Sequence, residues 1–312
     1  RSPLCGRNFE YFSEDPLLSG ALGAAWVRGI QSRGVGASLK HYAANNQETD
    51  RMRVSAEVDE RTLREIYFPA FERTVTEAQP ATVMCSYNRI NGVYASENRW
   101  LLTDVLRGDW GFEGYVVSDW GAVHDPAAAV AAGLDLEMPS TGDRSPAQIV
   151  AAVGDGTLAE ADLDLSVSRV LTVHDRLRAS RGDAAQWTAD DHHALARRIA
   201  AESSVLLTNR DGILPLDAAA SGAIAVVGEF ARSPRYQGAG SSHINPTRLD
   251  NALEAITAAT SREVVFEPGF TLEASAGAEG EAALADAAVA AAARAEVVVA
   301  FLGLPDAEES EG

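Results

Sequence analysis

Cysteine is scarce in this sequence: Cys5 and Cys85 are the two found in 312 residues. Neither lies in a CxxC pair or a Cys/His cluster, which argues against a disulfide framework and a zinc site. No metal or cofactor is expected. Basic residues are also in short supply, with 26 Lys and Arg against 45 Asp and Glu and a net charge of −19. Such an excess repels a phosphate backbone or an anionic bilayer, so nucleic acid and membrane are not expected partners. Long apolar runs are missing too, because Ala287 to Ala293 and Glu296 to Leu302 are too short or too rich in alanine to span a bilayer. A GxGxxG turn does not follow AIAVVGEFARS, and the later GAGSSH lies too far along to replace it, which speaks against a dinucleotide-binding oxidoreductase. No charged and apolar leader opens the chain. Its first residues, RSPLCGRNFEYFSEDP, read like the inside of a domain, so cytoplasmic and secreted locations both stay open.

What is present is an ordinary globular composition, 46% hydrophobic and 23% charged, over a length that supports one large domain or two smaller ones. From Val35 to about Met138 short apolar strands alternate with amphipathic helices. VGASLKHYA (35 to 43) predicts a strand ending in Lys40 and His41. Asp59 can cap the next helix, with Leu63, Ile66, Tyr67, Ala70, Phe71 and Val75 on its inner face. ATVMCSYN (81 to 88) predicts the second strand, and Asn91-Gly92 marks a turn. A helix from about Glu97, capped by Ser96 and ended by Gly108, turns Trp100, Leu101, Val105 and Leu106 inward. GYVVSD is the third strand and GLDLEMP (133 to 139) the fourth. Repeated βα units imply a parallel sheet or barrel. Their polar residues gather at the C-terminal strand ends, where (β/α)8 barrels build active sites.

Past Ile149 the pattern turns helical, notably in SVSRVLTVHDRL, and the polar ASRGDAAQWTADD then reads as a linker. Beyond it AIAVVGEFA, EVVFEPGF and EVVVAFLGL are strand candidates, with an alanine-rich helix over 281 to 295 before the last.

The string GYVVSDWGA (114 to 122) carries the chemistry. A β run stops at a bare carboxylate, Asp119, followed by Trp120. At a barrel mouth, a carboxylate beside an aromatic suits a sugar, whose apolar face stacks on rings while its hydroxyls take charged partners. Hydrolysis of a glycosidic bond needs two carboxyl groups. An Asp after a strand equally fits a helix cap or a turn.

SDWGA, together with GRNFEYFSEDP (6 to 16), LKHYAANNQE (39 to 48) and MCSYNRING (84 to 92), resembles the glycoside hydrolase family 3 β-glucosidases. AAESSVLLTNRDGILPL (200 to 216) is similar to that family's passage into its second domain. The resemblance implies an α/β fold, a (β/α)8 TIM-like barrel followed by an α/β/α sandwich, with a partial barrel over 1–180, a linker over 181–200 and the first part of the sandwich over 201–312. It implies Asp119 as the nucleophile of a retaining reaction. It also implies Arg7, Lys40, His41, Met84, Tyr87 and Trp120 as the residues that bind the sugar. On their own these residues also fit plainer uses: a surface ion pair for Arg7 and Lys40, a satisfied core histidine for His41, strand packing for Met84 and Tyr87.

The ending GLPDAEESEG is similar to the segment that supplies the family's acid/base, with Glu311 the first choice, Glu309 the second and Glu308 a third; a run of acids is otherwise solvated charge. The expected substrate is a β-glucoside or a short β-linked oligosaccharide, and a homo-oligomer is compatible. KHYAANNQE differs from the KHFPGHG-like loop of the family's N-acetylglucosaminidases, and Trp120 stands where β-xylosidases more often have cysteine. Xylosidase or another exo-glycosidase activity is the alternative, with a non-catalytic carbohydrate-binding or scaffold descendant as a third reading. The family's early barrel strands and a sugar-binding aspartate have no counterpart before GRNFE, so the sequence is expected to be a fragment of a longer polypeptide.

Overall fold

A computed structural model of the chain describes residues 4–180, 182, 186–238, 240–272 and 277–311. Contacts divide it into two compact units, Arg1–Ala185 and Gln186–Gly312. The fold is α/β in both.

The first unit runs α1 (Pro16–Gln31), β1 (Ser38–Tyr42), β2 (Ser55–Ala56), α2 (Glu60–Thr62), α3 (Pro69–Ala78), β3 (Thr82–Cys85), β4 (Arg89–Ile90), β5 (Val93–Tyr94), β6 (Tyr115–Val117), α4 (Pro126–Ala132), α5 (Arg144–Asp155) and α6 (Glu160–Ala179). Strands β1, β3 and β6 form a parallel sheet in that order, as the βα repeat predicts. Register pairs Leu39 with Val83 and Val83 with Val116, and Tyr42 with Cys85 after an irregularity in β1. The chain segments that leave β1, β3 and β6 therefore emerge at one end of the sheet. The opposite end is tightly packed: a Cβ on Gly114 would press on the Ala81 carbonyl and the Phe112 ring.

Tyr42, Phe68, Phe71 and Trp110 form the centre of the core, with Tyr42 packed edge-on against Phe71 and Trp110 at 5.3 and 5.6 Å between ring centres. Edge-on pairs add about 0.5–1.5 kcal/mol beyond the area they bury. The Tyr42 hydroxyl donates to the Leu101 carbonyl at 3.1 Å, so the ring buries no idle polar atom. Asn91 and Gly92, both at positive φ, make the tight turn between β4 and β5.

Several details differ from the sequence expectation. Asp59 caps its helix by accepting from the Thr62 N–H, but Leu63–Tyr67 follows as a π-helical turn, with the Phe68 N–H donating to the Leu63 carbonyl. The wider turn shifts the helical phase. Ile66 is left exposed and Phe68 takes the buried position, while Leu63, Phe71 and Val75 are buried as expected. The next helix is also π-type, Trp100–Asp109, and runs through Gly108. Its N-terminal acceptor is Asn98, which takes the Leu101 N–H, whereas the Ser96 hydroxyl donates to the Ala122 carbonyl. GLDLEMP contributes a single bridge, Leu136 to Val117, instead of a strand. The Asp135 carboxylate takes the Val116 N–H that a ladder partner would otherwise use.

The second unit comprises α7 (Ala189–Ser203), β7 (Ile224–Val227), α8 (Ala252–Ala259), β8 (Val264–Glu267), α9 (Gly277–Ala292) and β9 (Val297–Ala300). Its sheet is parallel in the order β8-β7-β9, around a core of Ile224, Val226 and Ala231. The three strand candidates and the alanine-rich helix appear here as read. Helix α7, capped by Thr188, begins inside the interval expected to be linker, because Thr188 and Asp191 supply a reciprocal N-terminal cap. Among the described residues no helix is long and apolar enough to cross a membrane.

Candidate active site

In the first unit the candidate site residues lie at the C-terminal ends of β1, β3 and β6 and on the segments that follow them, with Arg7 ahead of α1. Asp119 is two residues past β6, and 8% exposed. Its Oδ1 accepts the Trp120 N–H at 2.8 Å, and its carbonyl accepts from the Ala122 N–H. The carboxylate is thus oriented by its own turn. Its Oδ2 accepts no hydrogen bond among the described residues and faces His41 Nε2 at 3.5 Å. Beneath it, the Ser118 hydroxyl takes the Met138 N–H and returns a bond to the Met138 carbonyl, tying β6 to the segment after Leu136.

His41 is buried, and its pKa is lowered from 6.5 to about 2 by loss of solvation first, then by the charges of Lys40, Arg7 and Arg51. A carboxylate at 3.5 Å would ordinarily raise an imidazole; burial and three cations outweigh it here. The contact is therefore between a neutral ring and a carboxylate. A neutral imidazole has one donor and one acceptor nitrogen, the pair needed to hold a hydroxyl.

Arg7 is 2% exposed, with its Nε at 2.5 Å from Glu10 and 3.8 Å from Glu48. Glu48 also meets Arg51 at 3.4 Å, and the Arg51 guanidinium lies 5.1 Å from the centre of the buried Tyr87 ring. Met84 is half-buried on β3, Trp120 is about half exposed, and Lys40 is exposed at the edge of a small cavity between α1, α3 and β1. The structure thus joins Asp119 to His41 directly, and Arg7 to Tyr87 through Glu48 and Arg51. Lys40 has no hydrogen bond or ion pair among the described residues and acts on His41 through its charge.

Sequence reasoning missed Arg51, Glu48 and Glu10. The available signal was the three-residue spacing of Glu48 and Arg51 just past the Lys-His pair. It also passed over Asn45, which is buried with neither side-chain atom hydrogen-bonded among the described residues. Cys85 lies below the site, where burial pushes its thiol up to about 12 and removes it from nucleophilic use.

In the second unit, the segment after β9 carries the acidic run. Glu311 Oε2 accepts the Ser241 N–H at 3.0 Å and the Ser241 hydroxyl. Glu309 is held by Arg235, whose Nη1 lies 3.3 Å from Oε2 and whose Nη2 donates to the Glu309 carbonyl. A cavity of about 550 Å³ opens beside them, lined by Phe230, Arg235, Tyr236, His243, Leu272 and Asp306 among others. Among the described residues, no three His, Cys, Asp or Glu side chains gather in a way that could hold a metal ion.

Residues 1–173 match the glycosyl hydrolase family 3 N terminal domain, and residues 204–312 match the glycosyl hydrolase family 3 C-terminal domain. The chain belongs to glycosyl hydrolase family 3. Among its family 3 relatives, it is 54% identical to the thermostable beta-glucosidase B of Acetivibrio thermocellus over 314 residues, covering 100% of this chain and 41% of that protein. It is 52% identical to the exo-alpha-(1->6)-L-arabinopyranosidase of Bifidobacterium longum, covering 100% of this chain and 42% of the relative. The crystal structure of the Bifidobacterium adolescentis GH3 beta-glucosidase superposes with a TM-score of 0.88 at 52% identity, over 99% of this chain and 45% of that one. The chain thus spans about two fifths of the length of the curated relatives it matches.

Proposed function

We propose that this family 3 chain carries the glycone-binding face and the nucleophile of a retaining exo-β-glucosidase. The observation that carries the proposal is the Asp119 carboxylate: one oxygen is fixed by the Trp120 N–H, the other is buried beside a neutral His41 without a hydrogen bond. A buried acceptor left without a partner costs about 1–3 kcal/mol, and such atoms persist where a ligand or reaction uses them. Asn88 Oδ1, on the segment after β3, is a second such atom.

In the first step, an Asp119 oxygen forms an ester to the anomeric carbon as the glycosidic C–O bond breaks, and the acid/base carboxyl gives its proton to the leaving oxygen. Water then attacks the ester, passing a proton back to that carboxyl and releasing Asp119 as carboxylate. Glu311 takes the acid/base role and Glu309 does not, since Glu309 is committed to a guanidinium through both its side chain and its carbonyl. Arg7, Lys40 and His41 hold sugar hydroxyls, Met84 and Tyr87 line the pocket, and Trp120 offers a half-exposed indole to the sugar face. Fixed cations and donors of this kind strengthen their hold as charge shifts toward the oxocarbenium-like transition state. No cofactor enters this scheme.

The test uses protein expressed from its complete reading frame and a 2-fluoro β-glucoside with a good leaving group. Mass spectrometry should find the label on the peptide containing Asp119, and Asp119→Gly should abolish both labelling and turnover. An Asp119→Gly variant that hydrolyses aryl β-glucosides at the parent rate refutes the proposal. The 52% identity to an arabinopyranosidase over the whole chain favours one second reading, α-L-arabinopyranoside hydrolysis through the same carboxylate. The two sugars differ at the hydroxymethyl group and in the configuration at C4, so the ratio of kcat/KM on the two nitrophenyl glycosides decides between them.

A further inference from the structure

Arg235 lies on the irregular segment that follows β7, and its guanidinium reaches three acceptors and a further carboxylate on the segment that follows β9. Its Nη1 donates to the Leu304 carbonyl at 3.1 Å and meets Glu309 Oε2 at 3.3 Å; its Nη2 donates to the Glu309 carbonyl; its Nε lies 3.0 Å from Asp306 Oδ1. That segment carries four carboxyl groups within six residues, Asp306, Glu308, Glu309 and Glu311. Like charges so close repel one another, and an irregular loop has no ladder of backbone bonds to resist them. A turn at Pro305, whose carbonyl accepts the Glu308 and Glu309 N–H groups, is the backbone's own contribution. The second anchor is Ser241, on the segment that contains Arg235, which holds the Glu311 carboxylate itself.

We propose that Arg235 is a positioning residue for the acid/base loop: it fixes residues 304–309 in the one conformation that presents the Glu311 carboxyl to the leaving oxygen. This rests on the assignment of Glu311 above. Arg235 does not touch the reacting atoms. Its two terminal nitrogens donate as a planar fork, with Nε held near the Asp306 carboxylate by charge alone, and lysine does not reproduce that geometry. A catalytic group displaced by about 1 Å loses about 10²-fold in rate, and general acid catalysis as a whole is worth about 10²–10⁴.

The experiment compares the parent with Arg235→Ala and Arg235→Lys, all expressed from the complete reading frame, on aryl β-glucosides of graded leaving-group pKa. Loss of acid positioning falls on poor leaving groups, which need the proton. Arg235→Ala should lose about 10²-fold or more in kcat/KM on phenyl β-glucoside and under about 10-fold on the dinitrophenyl substrate. Azide should then accelerate dinitrophenyl turnover and yield β-glucosyl azide. Arg235→Lys should fall between the two. Labelling of Asp119 by the 2-fluoro dinitrophenyl glucoside should persist in both variants, which also shows that they fold. A loss equal for every leaving group, without an azide product, overturns the proposal. If the parent neither labels at Asp119 nor turns over, the glycosidase reading fails and this inference with it.

Discussion

Acidification should weaken this protein through one side chain, His41. Its native pKa is held near about 2 against 6.5 for the free group. Between those values the unfolded chain binds one more proton than the native one, so stability rises with pH across the window. The contribution is complete above pH 6.5 and is lost progressively as pH falls toward 2. One proton corresponds to about 1.4 kcal/mol per pH unit, so moving from neutral pH to pH 5 should remove about 2 kcal/mol. The perturbation that isolates it is His41→Gln, which retains a donor and an acceptor but takes no proton. Urea unfolding of parent and variant, followed by tryptophan fluorescence at pH 7.5 and pH 5, gives the comparison. The parent should lose about 2 kcal/mol more than the variant, because the other five histidines titrate alike in both. Matching pH dependence, within about 0.5 kcal/mol, would refute the claim that His41 is neutral in the folded site.

The buried Asp135 side chain accepts from Arg107 at 2.5 Å, Arg169 at 3.0 Å and the Val116 N–H at 2.7 Å. Asp135→Ala leaves two partly buried guanidinium groups short of a counter-charge and the Val116 N–H without its acceptor, and should cost about 3 kcal/mol in urea unfolding; a loss under about 1 kcal/mol would contradict it. Gly228 has φ +111°, and an added Cβ would collide with the Phe301 carbonyl. Gly228→Ala should therefore speed amide exchange in β7 and β9, and unchanged protection there would show that the close approach is not obligatory. Cys85 should resist iodoacetamide at pH 8 in the native protein and react in denaturant, since burial holds its thiol near about 12; fast native labelling would mean that the core below Asp119 opens.

Local pattern carried much of the fold. The alternation of β-branched runs with 3.6-residue periods is a local property of the chain, and β1, β3, β6, β7, β8 and β9 all fall inside the stretches it marks. Phase inside the helices was not legible, because a π turn is decided by packing: Phe68 reaches the centre of the aromatic core only if the turn at Leu63–Tyr67 widens. GLDLEMP reads as a strand by composition, yet Asp135 spends its carboxylate on Val116 and two arginines, a set of partners drawn from 19 to 34 residues away. The candidate site shows the same division. Asp119 was legible because a carboxylate breaking a β run is a local contradiction. Arg51 and Glu48 were not, since what marks them is the ion pairs they make after the chain has folded around Arg7 and Tyr87.

The two sheets share one rule. In the first unit β1, β3 and β6 are parallel, so the polar ends written after each of them arrive together. In the second, the order β8-β7-β9 means that the chain steps from β7 to one side and returns to the other. The carboxyl ends of β7 and β9 then border the point where strand order reverses, the place at which open α/β sheets form their crevices. β7 is followed by the segment with Arg235 and Ser241, and β9 by the segment with Glu309 and Glu311. Their adjacency is set by the pairing of Val227 with Ala300 and by the Phe301 N–H donating to the Val227 carbonyl at 2.8 Å. Residues about 70 positions apart in sequence thus meet for a topological reason, and the cavity beside them, lined by residues of the same two segments such as Arg235 and Asp306, follows from strand order before any side chain is chosen. The Arg235 clamp and the Gly228 contact are two consequences of that one pairing. Breaking the pairing with Gly228→Ala should therefore loosen residues 304–311 as well, while Arg235→Ala should loosen the loop and leave the sheet intact. Exchange measured on both variants separates the two; a sheet that loosens equally in each would mean that the guanidinium supports the strands and not the acid loop.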